Sequence, residues 1–187
     1  RIIDEDIAGG RGSNFVIPRT LLGKLRRNTF TSQHSIFKRL LQMEPEAYMT
    51  YWCNLGGSVL IGASPEMHVR KDACGTITMN PISGTYTHEE SGPTAEGMRA
   101  FLTDEKERDE LHMVVDEELK ILSSICDSLP AVEGLYTKQL ARLTHTEYYL
   151  TGHTSETVQE VLRKSIVAPT VLGSPIESAF SVAADRD

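Results

Sequence analysis

Apolar residues recur along this chain with two different periods, and the places where the period changes mark out its elements. Ile36, Phe37, Leu40 and Leu41 fall at helical spacing, which predicts an amphipathic helix over residues 33–43 that Pro45 ends. Then the pattern shortens. Ala47 to Cys53, Ser58 to Gly62, Met67 to Lys71 and Thr76 to Met79 are short runs rich in β-branched and aromatic residues, parted by Gly, Pro or Asp. A four-stranded meander is their simplest arrangement. Helical spacing returns from Thr94, and over 104–126 Leu111, Val114, Val115, Leu119, Leu122 and Ile125 form an apolar stripe, the mark of the longest helix in the chain. Phe15 to Ile17 reads as a short strand after the turn-rich stretch Gly9 to Asn14. Glu147 to Thr151 reads as another strand, 155–165 as a helix capped by Thr154 or Ser155, and Pro175 starts a last element. The fold class predicted is α+β, with antiparallel strands and segregated helices.

Composition narrows the picture. The chain has 187 residues, 40% hydrophobic and 24% charged, enough for a sizeable core and far from the disordered corner of composition. Lys and Arg number 19 against 26 Asp and Glu, and the net charge of −7 leaves no general attraction for nucleic acid or anionic membranes. No apolar run approaches the roughly 20 residues of a membrane span, and no basic-then-apolar leader opens the chain, so a cytoplasmic location is expected. Cys53, Cys74 and Cys126 lack CxxC spacing and read as reduced thiols. The chain opens on Arg1 rather than Met and stops at Asp187 soon after Pro175, which suggests a fragment of a longer polypeptide.

Several segments could carry chemistry. In Thr103 to Met113, a helix places Glu107, Glu110, Leu111, Val114 and Glu118 on one face, so acids continue a stripe that should point inward. Inward carboxylates need a partner, and two at i, i+3 suit a hard ion such as Mg²⁺; the plain alternative is a solvated first turn whose acids complement the helix dipole. Glu66, in Gly62-Ala63-Ser64-Pro65-Glu66, sits at a turn between strands and becomes a general acid if burial raises its pKa. Asn80 to Thr85 reads as a tight loop with backbone N–H groups for a carboxylate, or as an ordinary turn. His145 precedes a strand, and Pro169-Thr170 with Gly173-Ser174-Pro175 forms a second small-residue loop before a helix. The Gly9 to Asn14 turn has no Walker Lys-Ser/Thr after it and reads as a plain turn.

Taken singly, each segment has an ordinary structural explanation. In order along the chain, IGASPE at 61–66, MNPISGT at 79–85, DEKERDE at 104–110, LTHTEYY at 143–149 and APTVLGSP at 168–175 resemble the chorismate-utilising enzymes, the anthranilate synthase component I-like family. The wording of NPISGTY and LTHTEYYLTGH is most similar to the phenazine-biosynthesis branch, the 2-amino-2-deoxyisochorismate (ADIC) synthases. The resemblance implies a two-sheet fold and Mg²⁺-dependent amination of chorismate with ammonia from a glutamine amidotransferase domain or subunit. It implies Glu107 and Glu110 as metal-side carboxylates, Glu66 as the acid that protonates the departing C4 hydroxyl, and His145 as a catalytic or positioning group. Gly84, Thr85, Thr170 and Gly173 would hold substrate.

Three departures qualify the match. Asn14 stands at the nucleophile side, where water-using members carry a Lys base; a neutral residue there suits ammonia. Thr85 is followed by Tyr86-Thr87-His88 instead of the Arg-Pro-Arg usual in anthranilate synthases. The family's second acidic pair lies beyond the matching segments. Residues 1–187 are therefore expected to be the central fragment of a chorismate-binding domain, with the family's N-terminal and C-terminal portions and the amidotransferase outside the chain, and the full-length protein a homo-oligomer. An anthranilate synthase releasing anthranilate and pyruvate, and a non-catalytic chorismate-binding module, remain the alternatives.

Overall fold

The computed structural model describes residues 2–12, 14–16, 20–166, 168 and 173–174. In chain order, a π-helical turn at Ile2–Ile7 is followed by β1 (Asn14–Phe15), α1 (Phe30–Met43), β2 (Met49–Asn54), β3 (Val59–Ser64), β4 (Arg70–Lys71), β5 (Thr76–Met79) and β6 (Ile82–Thr87). Then come α2 (Ala95–Thr103), α3 (Glu105–Ile125), β7 (Ala131–Gln139), β8 (Leu143–His153), α4 (Val158–Ser165) and β9 (Gly173–Ser174).

A five-stranded antiparallel sheet in the order β4-β5-β8-β6, with β7 also paired to β8, forms the centre. β8 organises it. Along one edge it pairs first with β6, from Leu143 opposite Thr87 to Glu147 opposite Ile82, and then with β5, from Leu150 opposite Met79 to His153 opposite Thr76. The step between those partners falls at Asn80-Pro81, where proline has no N–H to give a ladder. Asn80 closes the gap with its side chain: Nδ2 donates to the Tyr148 carbonyl at 2.9 Å, while Tyr148 N donates to the Pro81 carbonyl at 3.1 Å.

α3 lies across this sheet for the reason its stripe predicts. Asp104 caps it by accepting from Glu107 N at 3.2 Å, and Leu111, Val114, Leu122 and Ile125 are all buried. Leu122 and Ile125 join Ile77, Met79 and Leu150 of the sheet, Val161 of α4 and Ala168 in one core cluster. Each of the Val, Leu, Ile and Met side chains stabilises the fold by about 1.5–3 kcal/mol relative to leaving it in water. The sheet and α3 are thus held in fixed register beside the acidic first turn of the helix.

Several sequence expectations are corrected. The four-stranded meander does not form: among the described residues β2 and β3 pair only with each other, while β4 pairs with β5 and β5 with β8. α1 packs on that hairpin, with Trp52 meeting Phe30 at a ring-centroid distance of 5.0 Å and Phe37 at 5.9 Å. α1 also starts at Phe30, because Thr29 and Ser32 build a reciprocal capping box. α4 begins at Val158 behind a Thr157 cap; Thr154 instead donates to the Ile125 carbonyl at 2.7 Å, and Ser155 N donates to Asp127 at 3.0 Å. β7 was not expected, because its positions are mostly exposed on both faces and show no alternation. The element expected from Pro175 lies outside the described residues. Among the described residues no helix is long and apolar enough to cross a membrane.

Candidate functional site

The segment read from sequence as a tight loop, Asn80 to Thr85, runs instead into β6, and its glycine makes a bulge. Pairing of β6 with β8 shifts register between Ser83 and Tyr86, and Gly84 within that shift has φ +66°. The bulge takes the Thr85 N–H and the Gly84 carbonyl out of the ladder and gives both to side chains of neighbouring elements. Thr85 N donates to Glu107 Oε2 at 3.1 Å, and His145 Nδ1 lies 2.6 Å from the Gly84 carbonyl. A carbonyl only accepts, so Nδ1 carries a proton, and in the neutral ring Nε2 is the accepting nitrogen. Thr85 Oγ1, 3.4 Å from Nδ1, adds a weaker contact on the same side of the ring. His145 lies inside β8 rather than before a strand, which fixes its backbone more firmly than a loop could.

A Cβ at Gly84 would fall 2.9 Å from Glu107 Oε2 and 3.1 Å from the Phe101 ring, so the glycine serves both its left-handed φ and the close approach of the acid.

Glu107 and Glu110 leave α3 together on the side facing β6. Ser83 Oγ donates to Glu110 Oε1 at 3.0 Å, so each carboxylate has one oxygen fastened to β6. The other pair of oxygens converges on Lys106, whose Nζ is 3.0 Å from Glu107 Oε1 and 3.5 Å from Glu110 Oε2. The hydrogen bond to Glu107, reinforced by the charges of both acids, holds the Lys106 ammonium above its ordinary pKa range. The donor chemistry, two carboxylates with a cation already between their outer oxygens, fits a hard metal ion. Among the described residues there is no group of three or more His, Cys, Asp or Glu that could hold a metal ion.

A cavity of about 330 Å³ is lined by Glu66, Ser83, Gly84, Thr85, Glu110 and His145 with apolar walls from Phe15, Val16, Ile82 and Val114. Glu66 enters it from the turn after β3, where Ser64 Oγ donates to the Glu66 carbonyl at 3.0 Å and accepts from Glu66 N at 3.2 Å, fixing the backbone around Pro65. Phe15, which lines the cavity, pairs with Gly173, and Asn14 pairs with Ser174, in a β1–β9 ribbon; neither Asn14 nor Gly173 is among the residues that line the cavity. Thr170 lies outside the described residues. Glu107 does not line this cavity; it borders a neighbouring one of about 260 Å³ among Phe101, Leu111, Leu135 and Tyr148. Tyr86 turns away toward α2, where its hydroxyl accepts from Thr94 N at 3.1 Å. Sequence reasoning did not assign Ser83 and Lys106, although both lie inside the motifs it singled out.

The fold is that of the anthranilate synthase component I-like enzymes, and one cavity gathers Glu66, Gly84, Thr85, Glu110 and His145. The chain belongs to the chorismate binding enzyme family, whose pattern matches residues 2–184. It is 46% identical over 183 residues to the phenazine-specific anthranilate synthase of Pseudomonas chlororaphis, covering 97% of this chain and 28% of that protein. The chain thus spans little more than a quarter of that relative's length. In structure it is similar to anthranilate synthase component I from Streptococcus pneumoniae, with a TM-score of 0.67 and 25% identity, over 82% of this chain and 34% of the other. A protein from Bacillus anthracis assigned as a 2,3-dihydroxybenzoate-specific isochorismate synthase shares the fold at a TM-score of 0.79 and 22% identity, over 97% of this chain and 50% of the other.

Proposed function

We propose that this chain contributes the reaction centre of an enzyme that aminates chorismate with glutamine-derived ammonia to 2-amino-2-deoxyisochorismate. The observation that carries this reading is the convergence of Glu66, Gly84, Thr85, Glu110 and His145, from four separate stretches of sequence, on one cavity. The phenazine-specific name of the Pseudomonas relative supports the branch.

In this reading ammonia forms a bond to C2 of the ring, the two conjugated ring double bonds shift, and the C4–O bond breaks. Glu66 gives its proton to the departing hydroxyl, which leaves as water. The new amine sheds one proton, which restores the Glu66 acid by way of solvent, so chorismate and ammonia become product and water. His145, oriented through Nδ1, presents Nε2 to the substrate, while the β6 bulge and apolar walls position the ring. Glu110, with Glu107, would hold Mg²⁺, which when bound supplies Lewis-acid withdrawal of charge through the ring carboxylate. Asn14 stands beside Phe15 where no base is needed, because ammonia already carries its lone pair. The chain's acidic cavity and net charge of −7 would repel a dianionic substrate unless such a cation lay between.

We further propose that the whole protein is cytoplasmic and homo-oligomeric, that this chain is the central part of its chorismate-binding domain, and that it draws ammonia from an amidotransferase domain or subunit. Incubating the intact protein with chorismate, Mg²⁺ and an ammonium salt, and weighing the products by mass spectrometry, tests the reaction. An aminated product that retains the enolpyruvyl group is expected. Anthranilate with pyruvate as the only products supports the second reading, an anthranilate synthase, which the Streptococcus structure favours by its name. Unconsumed chorismate leaves only a binding module.

A further inference from the structure

The four carboxylate oxygens of Glu107 and Glu110 are divided between two kinds of partner. Glu107 Oε2 and Glu110 Oε1 are bound by neutral donors of β6, at 3.1 and 3.0 Å. Glu107 Oε1 and Glu110 Oε2 face one ammonium, Lys106 Nζ, at 3.0 and 3.5 Å. A neutral donor can remain when a metal binds the outer oxygen of the same carboxylate. An ammonium between the outer oxygens cannot, because two cations would then share one position.

We propose that Lys106 is a displaceable placeholder for the divalent cation: its ammonium bridges Glu107 and Glu110 in the metal-free protein, and a metal ion enters by pushing it out. This rests on the reading of those two acids as cation ligands. Mobility favours the exchange. The Lys106 side chain is 74% exposed, so it can swing into water without opening the core. Its benefit lies in the metal-free state, where two carboxylates one helical turn apart repel each other. With Lys106 between them, both stay turned toward β6 and the ligand geometry is kept ready. Its cost is competition, since cation binding must also break this ion pair. Metal affinity is therefore set in part by a residue that does not touch the metal.

The experiment titrates manganese(II) into the intact metal-free protein at low ionic strength and follows the free ion by electron paramagnetic resonance, with circular dichroism confirming the fold of each variant. Lys106→Met is expected to bind manganese about two- to fivefold more tightly than wild type, the factor that corresponds to losing an exposed ion pair of ordinary strength. Added salt should narrow that gap by screening the lysine. Lys106→Arg, which keeps the competing charge, should bind no more tightly than wild type, and Glu110→Gln at least tenfold more weakly. If Glu110→Gln binds weakly but Lys106→Met binds no better than wild type, the placeholder role is overturned while the carboxylates stand as ligands. If Glu110→Gln binds manganese as wild type does, the cation reading falls and the placeholder with it.

Discussion

Ser83 donates its hydroxyl to Glu110 across 3.0 Å, tying the buried side of β6 to the first turns of α3 within the cavity. This contact orients a carboxylate that the helix alone would leave free to rotate, since the Glu110 side chain is 42% exposed. Ser83→Ala should weaken divalent-cation affinity about fivefold, the equivalent of about 1 kcal/mol for one hydrogen bond to a charged group discounted for exposure. Thermal stability should change little, because water can replace the lost donor. Calorimetric titration with Mg²⁺ checks this, and an affinity equal to wild type counts against the orienting role.

Gly84→Ala should be far more damaging than its size suggests. The position needs φ +66°, and the new methyl would meet Glu107 Oε2 at 2.9 Å. Positive-φ strain of this kind costs about 1–3 kcal/mol, and relief by moving Glu107 releases the acid from Thr85 N. The expected outcome is a lower melting temperature together with loss of turnover. A fully active Gly84→Ala protein would show that the bulge does not hold the acid.

Glu66→Gln keeps the shape of the side chain and removes its proton. The turn that carries it depends on Ser64 and the backbone, so the variant should fold normally. kcat on chorismate should drop about 10²–10⁴-fold with KM little changed, the range expected for removing a general acid. A drop below tenfold would assign Glu66 to binding.

His68 provides a pH test away from the site. Burial holds its pKa below the ordinary 6.5, and its Nε2 lies 3.1 Å from Ser165 Oγ at the end of α4. The unfolded chain therefore takes up a proton at a pH where the folded protein does not, so stability is fully present above about pH 6.5 and declines as pH falls through that value toward the lower folded pKa. Urea denaturation at pH 7.5 and 5.5 should show a smaller unfolding free energy at the lower pH, and His68→Gln should reduce the difference. An unchanged difference in the variant would place its source elsewhere.

How much of this was legible beforehand depends on the physics of each element. α3 was readable because Leu111, Val114, Leu122 and Ile125 repeat at helical spacing and are all buried, and the same periodicity put Glu107 and Glu110 on the side where they are found. β6 was read as a loop because Pro81, Ser83, Gly84 and Thr85 are turn formers by propensity; the β8 ladder overrides that preference everywhere except at the Gly84 bulge. The helix cap at Thr157 could not be separated from Thr154 and Ser155, since all three residue types cap well and only the tertiary partners Ile125 and Asp127 decide between them. Lys106 escaped notice because a lysine among acids in a first helical turn reads as a solvated ion pair. The joining of Glu66, Glu110 and His145 in one cavity is a long-range property that no local spacing encodes; the order of motifs along the chain, taken as a resemblance, was its only sign.

The reading proposed above has chorismate held with a cation in the cavity around Glu110, Glu66 and His145. Calorimetric titration of chorismate into the intact protein, with and without Mg²⁺, and into Glu110→Gln with Mg²⁺, tests it most directly. Binding to wild type that requires Mg²⁺, weakened at least tenfold in Glu110→Gln, is the predicted result. Chorismate binding of equal strength in all three titrations would mean that neither a cation nor Glu110 holds it.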